Sequence, residues 1–64
     1  MEPFQQRVVE EKLELDNKIL NLRAFINGEL YPKLERNERD RLDLQLSIMV
    51  SYTTVLASRI NNFQ

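Results

Sequence analysis

Residues 4–27 read FQQRVVEEKLELDNKILNLRAFIN, a run with no Gly, Pro, Ser or Thr. On a wheel turning about 100° per residue, its apolar residues fall into two stripes rather than one. The first holds Phe4, Val8, Leu15, Ile19, Leu22 and Ile26. The second holds Val9, Leu13, Leu20 and Ala24, centred about 120° away, with Lys12, Asp16 and Arg23 between the two. Pro3 suits the first turn of a helix, where its missing N–H is not needed. Glu2, Glu10 and Glu11 lie toward the positive end of the helix dipole. Asn27-Gly28 reads as a C-terminal stop, with Gly28 free to take a left-handed cap conformation. The spacing predicts a first helix over about 3–27.

Outward from this run, 28–36 reads as a connector, in which Tyr31 is biased away from the helical region by Pro32. Asn37 is a good N-cap, and Asp40 three residues on gives a weak capping box. A second helix is predicted over about 37–62. Its seam is Leu42, Leu46, Met49, Thr53, Leu56, Ile60 and Phe63, with alternating four- and three-residue spacing. The Thr53 hydroxyl can bond a carbonyl one turn back. Leu44, Ile48 and Val55 make a further apolar stripe. Ser47, Ser51, Thr54 and Ser58 make a side of small hydroxyl residues, read either as a solvated or packing face or as polar ligand contacts.

Two helices of about 24 residues, about 36 Å each, joined by a short connector, suit an all-α antiparallel hairpin as a single domain over 1–64. A domain of 64 residues is marginal alone. With no Cys there are no disulfides to support it. A hairpin covers only one face of each helix, so the extra stripes would face water. The expectation is a helical-bundle homo-oligomer of closed symmetry.

Composition narrows the function. The chain has no His and no Cys, which removes the commonest metal ligands and general bases. A single Gly rules out a Gly-rich phosphate loop. No nucleophile has a base beside it. The pair Glu10 and Glu14, and Glu38 with Asp40 and Asp43, sit among Lys and Arg and read as solubilising ion pairs. We therefore expect no enzyme activity, no cofactor and no metal. Net charge is −1, from nine Lys and Arg against ten Asp and Glu, so no cationic field exists for general DNA or RNA binding. The longest apolar runs, Ala24-Phe25-Ile26 and Ile48-Met49-Val50, are far short of the ~20 residues of a membrane span. The first residues lack a secretory pattern, and a cytoplasmic location is expected.

What remains is binding. Gln45, Tyr52 and Arg59 recur every seven residues along one side of the second helix, bordering its seam. Arg presents a planar fork to phosphate, and Tyr can stack on a base. The alternative is structural: Tyr52 as a half-buried aromatic with its hydroxyl at the rim, and Arg59 as a stem packed on apolar neighbours. On the first helix Arg7, Glu11 and Lys18 share one side.

Arg7-Val8, Glu11, Leu13, Lys18, Leu22 and Phe25-Ile26 in the first helix carry a resemblance that spans nearly the whole chain. In the second helix, Glu38-Arg39, Leu42, Gln45-Leu46, Met49, Tyr52, Leu56 and Arg59-Ile60 carry it. With these residues the chain resembles small helical-hairpin proteins of crAss-type and other tailed phages. It is similar in fold to the hairpin domain of anti-CBASS and anti-Thoeris sponges, oligomers that sequester immune signalling nucleotides without cleaving them. The resemblance implies a phage anti-defence protein with a cyclic oligonucleotide ligand. Arg7, Lys18 and Arg59 would face phosphates, Tyr52 a base, and Gln45 a base or ribose. Two other readings stay open: an inhibitor presenting an apolar stripe to a host protein, and a purely structural hairpin.

Overall fold

The computed structural model describes residues 1–63. It is an all-α hairpin of two long helices, α1 (Pro3–Ile26, 24 residues) and α2 (Arg36–Asn61, 26 residues). A short 3-10 turn, Tyr31–Lys33, lies between them. The molecule is a rod, 47 × 15 × 13 Å.

The helix ends differ from the sequence reading in instructive ways. At the start of α1, the buried Gln5 side chain accepts a hydrogen bond from the Glu2 N–H at 2.8 Å, which occupies an otherwise orphaned donor. α1 stops at Asn27-Gly28 as expected, but Gly28 does not adopt a positive φ. Its N–H instead bonds the Phe25 carbonyl in a tightened last turn. A Cβ at Gly28 would come within 3.3 Å of the Ala24 and Phe25 carbonyl oxygens, so close approach is what favours glycine there. Tyr31, despite preceding Pro32, opens the 3-10 turn, which closes through Lys33 N–H to Leu30 O and Leu34 N–H to Tyr31 O. Asn37 is not the N-cap of α2: that position is Glu35, in extended conformation, and the helix begins at Arg36. The N-cap preference of Asn, about 1 kcal/mol, is outweighed by the connector. The Tyr31 hydroxyl donates to Asp43 at 2.6 Å, and Leu34 is half-buried. Together these set where the chain turns into α2.

The helices pack along the first α1 stripe and the α2 seam. Val8, Leu15, Ile19 and Leu56 form the buried core among the described residues, with Leu46, Met49, Val50, Ile60 and Phe63 packed around it. Leu56 is the one that is 0% exposed. Phe4, expected in the core stripe, is half-exposed at the open end of the hairpin. There its ring meets the edge of Phe63 with centroids 6.1 Å apart. Leu13, Leu20, Leu44, Ile48 and Val55 are all between 55% and 62% exposed. At the start of α2, Arg36, Asn37, Asp40 and Arg41 are exposed while Glu38 and Arg39 are half-buried, with pairs Arg41–Glu38 at 2.8 Å and Arg36–Asp40 at 4.0 Å.

Two measurements test this packing. Leu56→Ala leaves a hole that two helices cannot close, and should lower unfolding free energy by about 2–5 kcal/mol in denaturant titrations. The Tyr31 phenol is held above its ordinary pKa, first by its hydrogen bond to Asp43 and then by desolvation. A raised folded pKa means the contact stabilises the hairpin below pH ~10 and is lost as pH climbs through the raised value. Ultraviolet titration of Asp43→Asn should show the Tyr31 phenol ionising at lower pH than in the parent chain.

Candidate functional site: the two edges of the hairpin

Two long helices in contact leave two open edges, and side-chain contacts identify both. On one edge the Tyr52 hydroxyl reaches from α2 to the Glu11 carboxylate on α1. On the other, Leu20 of α1 and Val50 of α2 flank an open cleft of about 260 Å³, also lined by Asp16, Ile19, Arg23 and Thr53.

All five residues singled out from the sequence fall on the first edge. Register follows from three contacts: Phe4 with Phe63, Tyr52 with Glu11, and Thr53 with Asp16. These place Arg7 and Arg59 at similar height near the open end, and Lys18 and Gln45 toward the connector. The Tyr52–Glu11 contact sits between. Arg7, Lys18, Gln45, Tyr52 and Arg59 are all exposed. Gln45 leans its amide toward the Met49 sulfur at 3.9 Å. Fourteen residues separate Gln45 from Arg59, about 21 Å along a helix, and eleven separate Arg7 from Lys18, about 16 Å. One copy therefore offers a row rather than an enclosed pocket. Glu11 interrupts the cationic row between Arg7 and Lys18 and anchors the Tyr52 ring at the rim. The ring stays 45% exposed, so part of its surface is open for stacking.

The second edge holds the interaction that the sequence reading missed. Lys12 donates to Asp16 at 2.7 Å, and Thr53 donates across the helix pair to the same carboxylate at 2.5 Å. Thr53 thus does not bond back along its own helix. Thr54, one residue on, does so, to the Val50 carbonyl at 2.8 Å. The signal was available: Lys12 and Asp16 are spaced i, i+4, and Thr53 is the one polar residue in the α2 seam. Ser47, Ser51, Thr54 and Ser58 are exposed on the outward side of α2. Among the described residues no three acidic side chains gather closely enough to hold a metal ion, and no helix is long and apolar enough to cross a membrane.

Comparison with protein families matches Sequestin over residues 2–62, nearly the full length of both helices and their connector. The chain belongs to the Sequestin family. No curated protein and no solved structure matches it. The matched span takes in both edges of the hairpin, so the Sequestin pattern covers the row on the Tyr52 edge and the clasp opposite.

The clasp makes a titration prediction. The Asp16 carboxyl is held below the usual carboxylate range, first by its hydrogen bond from Lys12 and then by that from Thr53. With the folded value depressed, the clasp stabilises the hairpin above the ordinary carboxylate pKa. That contribution disappears as pH falls through the folded value. Thr53→Val removes one of the two donors, and the Asp16 pKa followed by NMR should move up toward its ordinary value. An unmoved Asp16 titration would show that the cross-helix bond does not form.

Proposed function

We propose that this chain sequesters a small cyclic nucleotide signal by binding without cleavage, as a phage anti-defence protein acting in the host cytoplasm. One observation carries the reading: Arg7, Lys18, Gln45, Tyr52 and Arg59 lie along a single exposed edge of a rigid hairpin. The family name, Sequestin, denotes sequestration and supports the same reading. Arg59, Arg7 and Lys18 serve as phosphate partners, Tyr52 as a stacking surface, and Gln45 as a donor and acceptor for base or ribose. A row on one copy gives little enclosure, so the ligand is held where edges from two or more copies face each other. Symmetry then multiplies few charges, and the chain needs no high overall basicity. The lack of His and Cys in the sequence favours capture over turnover.

The exposed apolar residues Leu44, Ile48 and Val55 favour a second reading, an inhibitor that docks this face of α2 on a host protein.

Thermal shift against a panel of cyclic di- and trinucleotides separates the two. A ligand at 100 times its Kd adds about 2.7 kcal/mol, which for a domain this small means a rise on the order of 10 °C in Tm. Arg59→Ala should abolish that rise without altering native mass. No response from the parent chain to any nucleotide, with retention on a host protein, would replace this reading with the inhibitor. An equal rise in Arg59→Ala would remove Arg59 from the site.

A further inference from the structure

The cationic row on the Tyr52 edge carries a negative charge near its middle. Glu11 follows Arg7 by four residues and precedes Lys18 by seven, about 6 Å and about 10.5 Å along α1. The ordinary use of a Glu four residues from an Arg is an ion pair on one helix. Here Glu11 pairs with neither cation, and its carboxylate instead accepts the Tyr52 hydroxyl from the facing helix. We infer that Glu11 is the specificity-determining residue of this edge. Its held carboxylate divides the cations into two stations and turns away extended polyanions, single-stranded nucleic acid and linear polyphosphate, that would lie along the whole row. For the ligand that Glu11 admits, the inference rests on the proposed function.

No other carboxylate shares that position among the described residues. From Leu44 onward the sequence has no Asp or Glu, so the α2 side adds none between Gln45 and Arg59. Asp16 belongs to the opposite edge, where Lys12 and Thr53 bond to it. Glu10 and Glu14 lie about 100° and about 60° farther round α1 than Glu11, away from α2. Glu38 sits toward the connector and pairs with Arg41.

The charge sorts anions by shape. A nucleic-acid strand carries one phosphate per about 3.4 Å of its axis. The span from Arg7 to Lys18 is about 16 Å, so a strand laid along it sets four or five phosphates there, at least one of them against Glu11. A compact cyclic nucleotide escapes this repulsion. It can place phosphate at Arg7 and Arg59, which stand at one height, and lay a neutral part over Glu11. A carboxylate only accepts hydrogen bonds, so that part has to donate, as a ribose hydroxyl or a base amino group does. Tyr52, joined to Glu11, offers its ring to the base beside that donor. One residue thus refuses the first class of anion and orients the second.

Glu11→Gln isolates the charge, because the amide oxygen still accepts from Tyr52. The probe is a fluorescent oligothymidylate followed by anisotropy, with inorganic triphosphate as competitor. Two salt concentrations, about 10 and about 150 mM, shorten the screening length from about 30 to about 8 Å. At low salt Glu11→Gln should bind the strand several-fold more tightly than the parent chain, and the gain should shrink at the higher salt. Inorganic triphosphate should displace the strand, and adding Lys18→Gln should take the gain away. Glu29→Gln changes net charge by the same amount on the exposed connector and should stay at the parent level. Tyr52→Phe breaks the same contact but keeps the carboxylate, and should show no gain either. Unchanged strand affinity in Glu11→Gln would overturn the role. So would a gain shared by Glu29→Gln or Tyr52→Phe, or one indifferent to salt. If the parent chain answers a cyclic nucleotide while Glu11→Gln gains nothing, the role of Glu11 falls and the proposed function stands. If Glu11→Gln gains the strand while the parent answers no cyclic nucleotide, the divided row stands and the proposed ligand falls.

Discussion

A pair of helices shares a single interface, and each helix can turn only about a third of its circumference into it. Here that interface is fixed by one residue taken fully out of water, Leu56, lodged among Val8, Leu15 and Ile19. Everything apolar outside that arc stays at the surface however well the seam packs. The cost is large relative to the margin by which a domain of this size folds: burying a Leu side chain contributes about 1.5–3 kcal/mol, and six aliphatic residues among those described remain more than half exposed. The fold thus packs along its seam and leaves much of its apolar surface in water.

The same constraint divides the chemistry. Because the helices touch along a line, polar residues that flank it sort to one edge or the other. On the clasp edge Lys12 and Thr53 both bond to Asp16, and the bond from Thr53 across the helices fixes the register. On the opposite edge Tyr52 and Glu11 join across the helices, and among the described residues Arg7, Lys18 and Arg59 form no ion pair. A surface with unspent donors and an anchored aromatic beside apolar ground is suited to holding a small anionic aromatic molecule. An edge where Lys12 and Asp16 are paired beside an apolar stripe is suited to packing.

Much of this was legible in the residues because helical periodicity is a strong signal over runs of more than twenty positions. The two-helix hairpin, the seam and the placement of Gln45, Tyr52 and Arg59 on one side needed only the period and the positions of Gly and Pro. The helix limits lay one residue from those read in the sequence, at Ile26, Arg36 and Asn61. Local rules failed where a distant partner outbid them. Asn37 lost the cap to Glu35 because the connector is tied to α2 through Tyr31 and Asp43. Thr53 turned to Asp16 because a charged acceptor on the facing helix makes a stronger hydrogen bond than a carbonyl already engaged in the helix ladder. Gly28 kept an ordinary backbone because the Phe25 carbonyl offered a tighter closure. The sharing of one edge by Arg7 and Arg59 depended on inter-helix register, which no single-helix pattern contains.

Rigidity gives this architecture its fitness for capture. A protein that sequesters a signal does not turn over, so its effect depends on affinity and copy number alone. Affinity is reduced by every side chain and loop that must be ordered on binding, at about 0.5–1.5 kcal/mol per immobilised side chain. Helices of 24 and 26 residues set the backbone beneath these residues before the ligand arrives, so only side chains are left to order. Tyr52 is further held by Glu11. Copy number favours a short chain, since more sites are made per residue synthesised. A short chain, in turn, leaves apolar surface that its own two helices cannot cover. Small size and a pre-formed helical backbone are then two consequences of one requirement: the most binding sites, held as stiffly as possible, from the fewest residues.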